Sequence, residues 1–140
     1  AAQIYSGDNA LFSNGSNVRD LITVIGDVHH IFPKQYLIKN GGKEKSKYNQ
    51  IANYTYLDTQ VNKAISDDAP NIYFSKVLQQ CKTGNLIYGN ISNKEILLRN
   101  MEQNSIPENI LTPGYDDYDE FLVDRRKLMA KKIKEYYYSL

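Results

Sequence analysis

The chain of 140 residues is 41% hydrophobic and 24% charged, and its formal net charge is +1. This length suits one globular domain with a modest core, and the composition is unlike that of a disordered segment. The charge balance lacks the strongly basic character of many nucleic-acid-binding domains, so net charge alone does not indicate such a partner.

The sequence has no feature of a membrane protein or of a disulfide-rich protein. No apolar run approaches the roughly 20 residues of a membrane-spanning helix, and the start, Ala1-Ala2-Gln3-Ile4, lacks the layout of a secretory signal. The lone Cys81 excludes an internal disulfide and a multi-cysteine zinc site, which fits a reducing compartment. We therefore expect a soluble, cytoplasmic protein with no membrane partner.

The chain begins with a polar segment followed by a predicted strand. Residues 1–19 are turn-rich and begin without methionine, so we interpret them as the edge of a longer polypeptide. Residues 21–28 are rich in branched side chains and predict a strand, which Pro33 prevents from continuing. A long basic loop follows, and residues 54–57 have the aromatic and β-branched make-up of a second strand.

Helices are predicted for the rest of the chain. The first shows Val61, Ala64 and Ile65 on one face, with Asp58 or Thr59 as its cap. The next two are a helix capped by Asp68 or Asn71 and ended by Thr83-Gly84-Asn85, and a helix that the capping-box pattern Ser92-Asn93-Lys94-Glu95 begins and Ile106-Pro107 ends.

A final amphipathic helix is predicted to pack on the first half of the chain. Its first turn is acidic and its later turns are basic, which complements the helix dipole. Apolar residues recur along it at near-helical spacing: Leu122, Met129, Ile133, Tyr136 and Leu140. The basic residues of 125–134, like the lysines of 34–47, can follow a phosphate backbone, although solvated surface is the commoner role of such groups.

Two adjacent histidines at the end of the first predicted strand form the most distinctive cluster. Asp27, His29 and His30 place three metal-binding or proton-transferring groups within four positions. Because side chains alternate along a strand, Asp27 and His29 project from one face and His30 from the other. A histidine pair at a strand end is, without further context, more often a hydrogen-bonded structural feature than a metal site.

Three segments in the first half supply that context. They are Asp27-Val28-His29-His30-Ile31-Phe32-Pro33-Lys34, then Asn49-Gln50-Ile51-Ala52-Asn53, then Leu57-Asp58 with Asn62-Lys63-Ala64-Ile65-Ser66-Asp67. Together they resemble the HNH, or ββα-metal, nuclease motif. The pattern is especially similar to the C-terminal nuclease domain of GmrSD-type, modification-dependent restriction enzymes, in which a second asparagine follows nine residues after the first, as Asn62 follows Asn53. The resemblance covers about residues 20–75 closely and the later chain loosely.

The resemblance implies a role for each matching residue. His29 takes the position of the first metal ligand, Asn62 that of the helix-borne ligand, and Asp27 that of a less uniform further ligand. His30 takes the position of the general base. Asn53 takes that of the middle asparagine, which braces the loop between the strands and so orients the base.

These roles meet two requirements of phosphodiester hydrolysis, which are a base for the attacking water and stabilisation of the negative charge that develops. An ordinary imidazole has a pKa of about 6.5, so a neutral histidine can accept the proton of an attacking water near neutral pH. A divalent ion stabilises the negative charge that develops on the phosphate and the leaving oxygen. Imidazole, amide and carboxylate ligands together do not select one ion, because Mg²⁺ prefers oxygen whereas Mn²⁺ and the later transition ions also accept nitrogen; we expect Mg²⁺ or Mn²⁺. Lys34 and Lys63 flank the predicted site and are candidates for phosphate contact.

We therefore predict an α+β fold in which a ββα-metal core is embedded in a mostly helical domain. Its parts are an N-terminal edge (1–19), the nuclease core (20–90) and a helical extension (91–140). The predicted function is DNA endonuclease, the effector of a bacterial or archaeal restriction or phage-defence protein, with an upstream nucleotide-hydrolysing domain of the same polypeptide as partner. The alternatives are a non-catalytic nucleic-acid-binding or assembly module on this scaffold, and an RNase or toxin nuclease of the same fold.

Overall fold

A computed structural model of the chain describes residues 1–15, 17–19, 28–41 and 44–140. Within these ranges the structure is α+β, mostly helical, with one small antiparallel sheet. The strands are β1 (Val28–His30) and β2 (Tyr54–Tyr56), and the helices are α1 (Ala2–Ser6), α2 (Lys34–Lys39), α3 (Lys45–Tyr48), α4 (Thr59–Ile65), α5 (Pro70–Thr83), α6 (Lys94–Gln103) and α7 (Tyr118–Ser139). Short 3-10 turns span Ile51–Asn53 and Glu108–Leu111.

The sheet pairs β1 with β2, and His29 lies opposite Thr55 and His30 opposite Tyr54. The predicted second strand is confirmed at residues 54–56. Most of the predicted first strand, residues 21–27, lies outside the described residues. The predicted long loop between the strands is wrong in its described part, because α2 and α3 occupy much of it.

The helix predicted after the second strand is confirmed as α4. Asp58 caps it by accepting a hydrogen bond from the Gln60 backbone N–H at 2.8 Å. Val61 and Ile65 are buried in the core, whereas Asn62 is half-buried beside them. Strand, strand and helix therefore follow one another in the order that the motif predicts.

The predicted caps of α5, Asp68 or Asn71, are wrong, whereas the end of α5 and the start of α6 within residues 92–95 are as predicted. Ala69 precedes α5 and has no polar side chain with which to cap it, and Pro70 at the start of the helix has no N–H to be left unpaired. Gly84 ends this helix in the left-handed conformation, with φ of 74°. Asn93, not Ser92, caps α6, accepting hydrogen bonds from the Glu95 and Ile96 backbone N–H groups.

The last helix, α7, is amphipathic only in its first half. Asp117 caps it, and Phe121 and Leu122 are buried. Ile133 and Leu140 are 58% and 77% exposed, so the predicted apolar face does not extend to the end of the helix. None of the helices in the described part combines the length and the apolar composition that a membrane span requires.

Arg125 of α7 is a structural residue, and its assignment to a phosphate-binding basic surface is wrong. Its side chain is 5% exposed and donates hydrogen bonds to the backbone carbonyls of Ala52, Tyr54 and Asn104. Burial lowers the pKa of its guanidinium to about 10, which leaves the group charged at neutral pH. The guanidinium thereby attaches α7 to the segment that enters β2.

A single connected core joins the N-terminal segment, the sheet and the long helices. Phe12 makes an edge contact with Phe74 of α5, with ring centroids 5.1 Å apart. Phe32, which follows β1, packs on Phe121 of α7 at 5.0 Å. The core therefore draws side chains from all three segments into which the sequence was divided.

Candidate active-site groove

An open groove lies beside the sheet and the helix that follows it. Its volume is about 430 Å³, and its walls come from β1, from the turn into α2 and from the end of α4. We call it the histidine groove and define it by its lining residues: His29, His30, Pro33, Lys34, Gln35, Asn62, Ser66 and Asp67. Both histidines of the chain thus line one groove together with Asn62.

Contacts on several sides hold the His30 ring. Its Nε2 lies 3.1 Å from the Oδ1 of Asn49, within hydrogen-bond distance. The rings of Tyr48 and Tyr54 meet it edge-on, with centroid distances of 6.1 and 5.1 Å. His30 therefore occupies a restricted position at the groove rather than swinging freely in solvent.

Asn53 lies behind this arrangement and is fully buried. Its Oδ1 accepts the Phe32 backbone N–H at 2.8 Å. Its Nδ2 donates to the carbonyls of Phe32 and Tyr48 at 3.1 and 3.2 Å. The amide thus ties the residues after β1 to the residues before β2, and it is not among the residues that line the groove.

A further hydrogen bond fixes the residues after β1 to α5. The hydroxyl of Tyr73 donates to the carbonyl of Ile31 at 2.5 Å, and the ring is completely buried. Burial raises the pKa of this hydroxyl far above its ordinary range, so it stays a hydrogen-bond donor at any physiological pH. The backbone leaving the histidines is therefore anchored on two sides.

The residues predicted to hold a metal ion are only partly within the described chain. His29 on β1 and Asn62 on α4 line the same groove, while Asp27 lies outside the described residues. Among described residues there is no cluster of three or more histidine, cysteine, aspartate or glutamate side chains that could hold a metal ion. One imidazole and one amide fit a divalent ion held loosely, whose other positions are filled by water or phosphate oxygen.

The two lysines predicted to contact phosphate differ in position. Lys34 lines the groove, and its Nζ lies 5.4 Å from the centroid of the Tyr48 ring, in cation–π range. Lys63 is exposed on α4 and is not one of the lining residues. Lys34 is therefore the better placed of the two for a phosphate at the groove.

One acidic side chain, Asp67, also lines the groove. It forms an ion pair with Lys39 at 2.6 Å, and this hydrogen bond holds the pKa of its carboxyl below the ordinary range. Both side chains are well exposed, so the pair adds little stability. The pairing does offset the negative charge that Asp67 would otherwise present to a phosphate.

The motif quoted from the sequence assigned no role to Asn49, Ser66 or Asp67. A helical repeat places residue 66 one turn after Asn62, so its position at the groove could have been expected. Ser66 also has a positive φ of 55°, a conformation that non-glycine residues rarely adopt outside functional or tightly turned sites. Nothing in the sequence pattern indicated that Asn49 meets His30.

Comparison of the chain with protein-family models, with curated proteins and with solved structures gave no match.

Proposed function

We propose that this chain is a metal-dependent DNA endonuclease domain of the ββα-metal, or HNH, class. The observation that carries the proposal is that His29 and His30 line one groove with Asn62, which is distant from them in the sequence. The histidines lie on β1, which pairs with the antiparallel β2, and Asn62 lies on α4, the helix that follows β2; this is the element order that the motif implies. Lys34 adds a positive charge at the same groove.

In the proposed reaction the side chains have separate tasks. His30 accepts the proton of the attacking water, and the Tyr48 and Tyr54 rings keep its imidazole at the groove. Asn53 ties the backbone of Phe32, which follows β1, to the backbone of Tyr48, whose ring contacts His30. Lys34 attracts the scissile phosphate. A Mg²⁺ or Mn²⁺ ion held by His29 and Asn62, with Asp27 as a further candidate ligand, would stabilise negative charge on the phosphate and the leaving oxygen.

We further propose that the domain is the cleaving part of a GmrSD-type restriction or phage-defence protein. In that setting an upstream nucleotide-hydrolysing domain of the same polypeptide selects the DNA, and this domain cuts it. The resemblance of the motif supports this setting.

A non-catalytic nucleic-acid-binding module is the second candidate. One observation favours it: of the three predicted metal ligands, only His29 and Asn62 lie among the described residues, and the described residues contain no cluster of three or more histidine, cysteine, aspartate or glutamate side chains. A loosely held ion would leave the groove able to bind phosphate without hydrolysing it.

Nicking of supercoiled plasmid separates the two candidates. Wild type, His30→Ala and the control Tyr138→Ala, which removes an exposed ring remote in sequence, are compared with Mg²⁺, Mn²⁺ or chelator on modified and unmodified plasmid. The endonuclease proposal predicts metal-dependent nicking that His30→Ala lowers by about 100-fold or more and the control preserves. Nicking that survives in His30→Ala removes the base from its role. Binding without nicking of either plasmid supports the second candidate.

A further inference from the structure

The Asn49 side chain contacts one ring nitrogen of His30. Asn49 ends α3, where its backbone N–H donates to the Lys45 carbonyl at 2.8 Å. Its side-chain Oδ1 lies 3.1 Å from His30 Nε2. An amide oxygen only accepts hydrogen bonds, so this contact is a hydrogen bond in the tautomer that carries its hydrogen on Nε2.

A neutral imidazole carries one hydrogen on one of two nitrogens. With the hydrogen on Nε2, the lone pair that can accept a proton lies on Nδ1. The Tyr48 and Tyr54 rings meet the His30 ring edge-on, at 76° and 67° to its plane, and so restrict its rotation. The position of the hydrogen and the orientation of the ring are therefore set by neighbouring side chains.

We propose that Asn49 is a positioning residue that fixes the Nε2–H tautomer of His30 and leaves Nδ1 as its basic atom. If the proposed nuclease function holds, Nδ1 is the atom that takes the proton from water.

Asn53 acts on this contact through Tyr48. The Nδ2 of Asn53 holds the Tyr48 carbonyl at 3.2 Å, and Tyr48 directly precedes Asn49 in the chain. Because Asn53 also holds both backbone groups of Phe32, it fixes the distance between the segment carrying Asn49 and the end of β1. Asn53 thus orients His30 indirectly, by positioning the Asn49 side chain that contacts it.

The tautomer is measured directly by nitrogen-15 NMR of the imidazole rings, with His29→Gln to assign the two histidines. Spectra are taken at a pH about two units above the ordinary imidazole pKa of about 6.5, where neutral rings dominate. The variants are Asn49→Leu, which cannot accept, Asn49→Asp, which can only accept, and Asn85→Leu, an exposed control remote from the groove in sequence. Circular dichroism confirms that each variant is folded.

Wild type, Asn49→Asp and the control are expected to show nitrogen-15 shifts of a His30 ring with its hydrogen on Nε2. Asn49→Leu is expected to show the averaged shifts of the two mixed tautomers. A wild-type ring with its hydrogen on Nδ1, or an Asn49→Leu ring with unchanged wild-type shifts, overturns the proposal.

Cleavage kinetics test the consequence for the reaction. Asn49→Leu should lower kcat by about 10-fold to 100-fold, the range for outer hydrogen-bond partners of site residues, and leave KM for DNA unchanged, while Asn49→Asp retains activity. A raised KM with normal kcat overturns the positioning role. A correct tautomer in a wild-type protein that cleaves no DNA supports the role of Asn49 and contradicts the nuclease function instead.

Discussion

Asparagine side chains occupy two regions of this protein in opposite environments. Around α6, Asn100 and Asn104 are 3% and 2% exposed, and their amides are hydrogen-bonded to backbone groups of the N-terminal segment and the helix itself and, for the Asn104 oxygen, to the Gln3 side chain. At the histidine groove, Asn62 and Asn49 are partly or largely exposed. Asn53 belongs to the first kind, although it lies directly behind the groove.

Buried asparagines in this protein hold the backbone in place, whereas exposed asparagines are available to bind a ligand. An amide with every donor and acceptor engaged in a dry interior has no capacity left for a ligand, but it fixes the backbone that it holds. An amide on an open wall contributes little to stability and keeps an oxygen available. We therefore expect substitutions in the first region to change folding and substitutions in the second to change binding and cleavage.

The largest expected effect is the loss of stability on substituting Asn100. Its side chain accepts the Phe12 backbone N–H at 2.8 Å and donates to the Ala10 and Ser13 carbonyls. Asn100→Ala leaves these buried groups unsatisfied and should lower the free energy of unfolding by about 3–5 kcal/mol. Asn62→Ala should change it by no more than about 1 kcal/mol. Urea denaturation of both variants measures the difference, and equal losses of the free energy of unfolding would contradict the contrast between buried and exposed asparagines.

A smaller effect is expected at alkaline pH from Tyr118, which joins α7 to the chain leading into the groove. Its hydroxyl donates to the Lys47 carbonyl at 2.5 Å, and burial raises its pKa to about 12. Unfolded tyrosine ionises near 10, so between about pH 10 and 12 the unfolded state loses this proton first and the free energy of unfolding falls as pH rises.

Tyr118→Phe should make that fall shallower, because no proton remains to be lost at this position. Urea denaturation at several alkaline pH values measures the slope, and Tyr138→Phe, on an exposed ring, is the matched control. A slope that Tyr118→Phe leaves as steep as in wild type would contradict the role of burial at Tyr118.

The sequence predicted the elements whose signals are local. Asp58 at the start of α4 and Gly84 at the end of α5 act on their own helix, so their residue types sufficed. The short helices α2 and α3 were missed because a helix of this length is stabilised by packing, here the burial of Leu37 and Tyr48, which a lysine-rich pattern conceals.

Features that depend on contacts between residues distant in the sequence could not be predicted. Arg125 belongs to a basic run, yet it is buried because it donates hydrogen bonds to backbone carbonyls far from it in the chain. The motif predicted that His29, His30 and Asn62 lie together, and all three line the histidine groove. The contact of Asn49 with His30 depends on how α3 ends relative to β1, which no local pattern encodes.

We propose that the histidine groove binds the divalent ion used in cleavage. Titration of the isotope-labelled protein with Mn²⁺, followed by paramagnetic broadening of its NMR signals, tests this most directly. We expect the signals of His29 and Asn62 to broaden first. Asn62→Ala should require at least about tenfold more Mn²⁺ for the same broadening, whereas the control Asn85→Ala should not. Broadening centred elsewhere, such as on the exposed acidic residues Asp116 and Asp117, or broadening at the groove that Asn62→Ala leaves unchanged, would contradict the account.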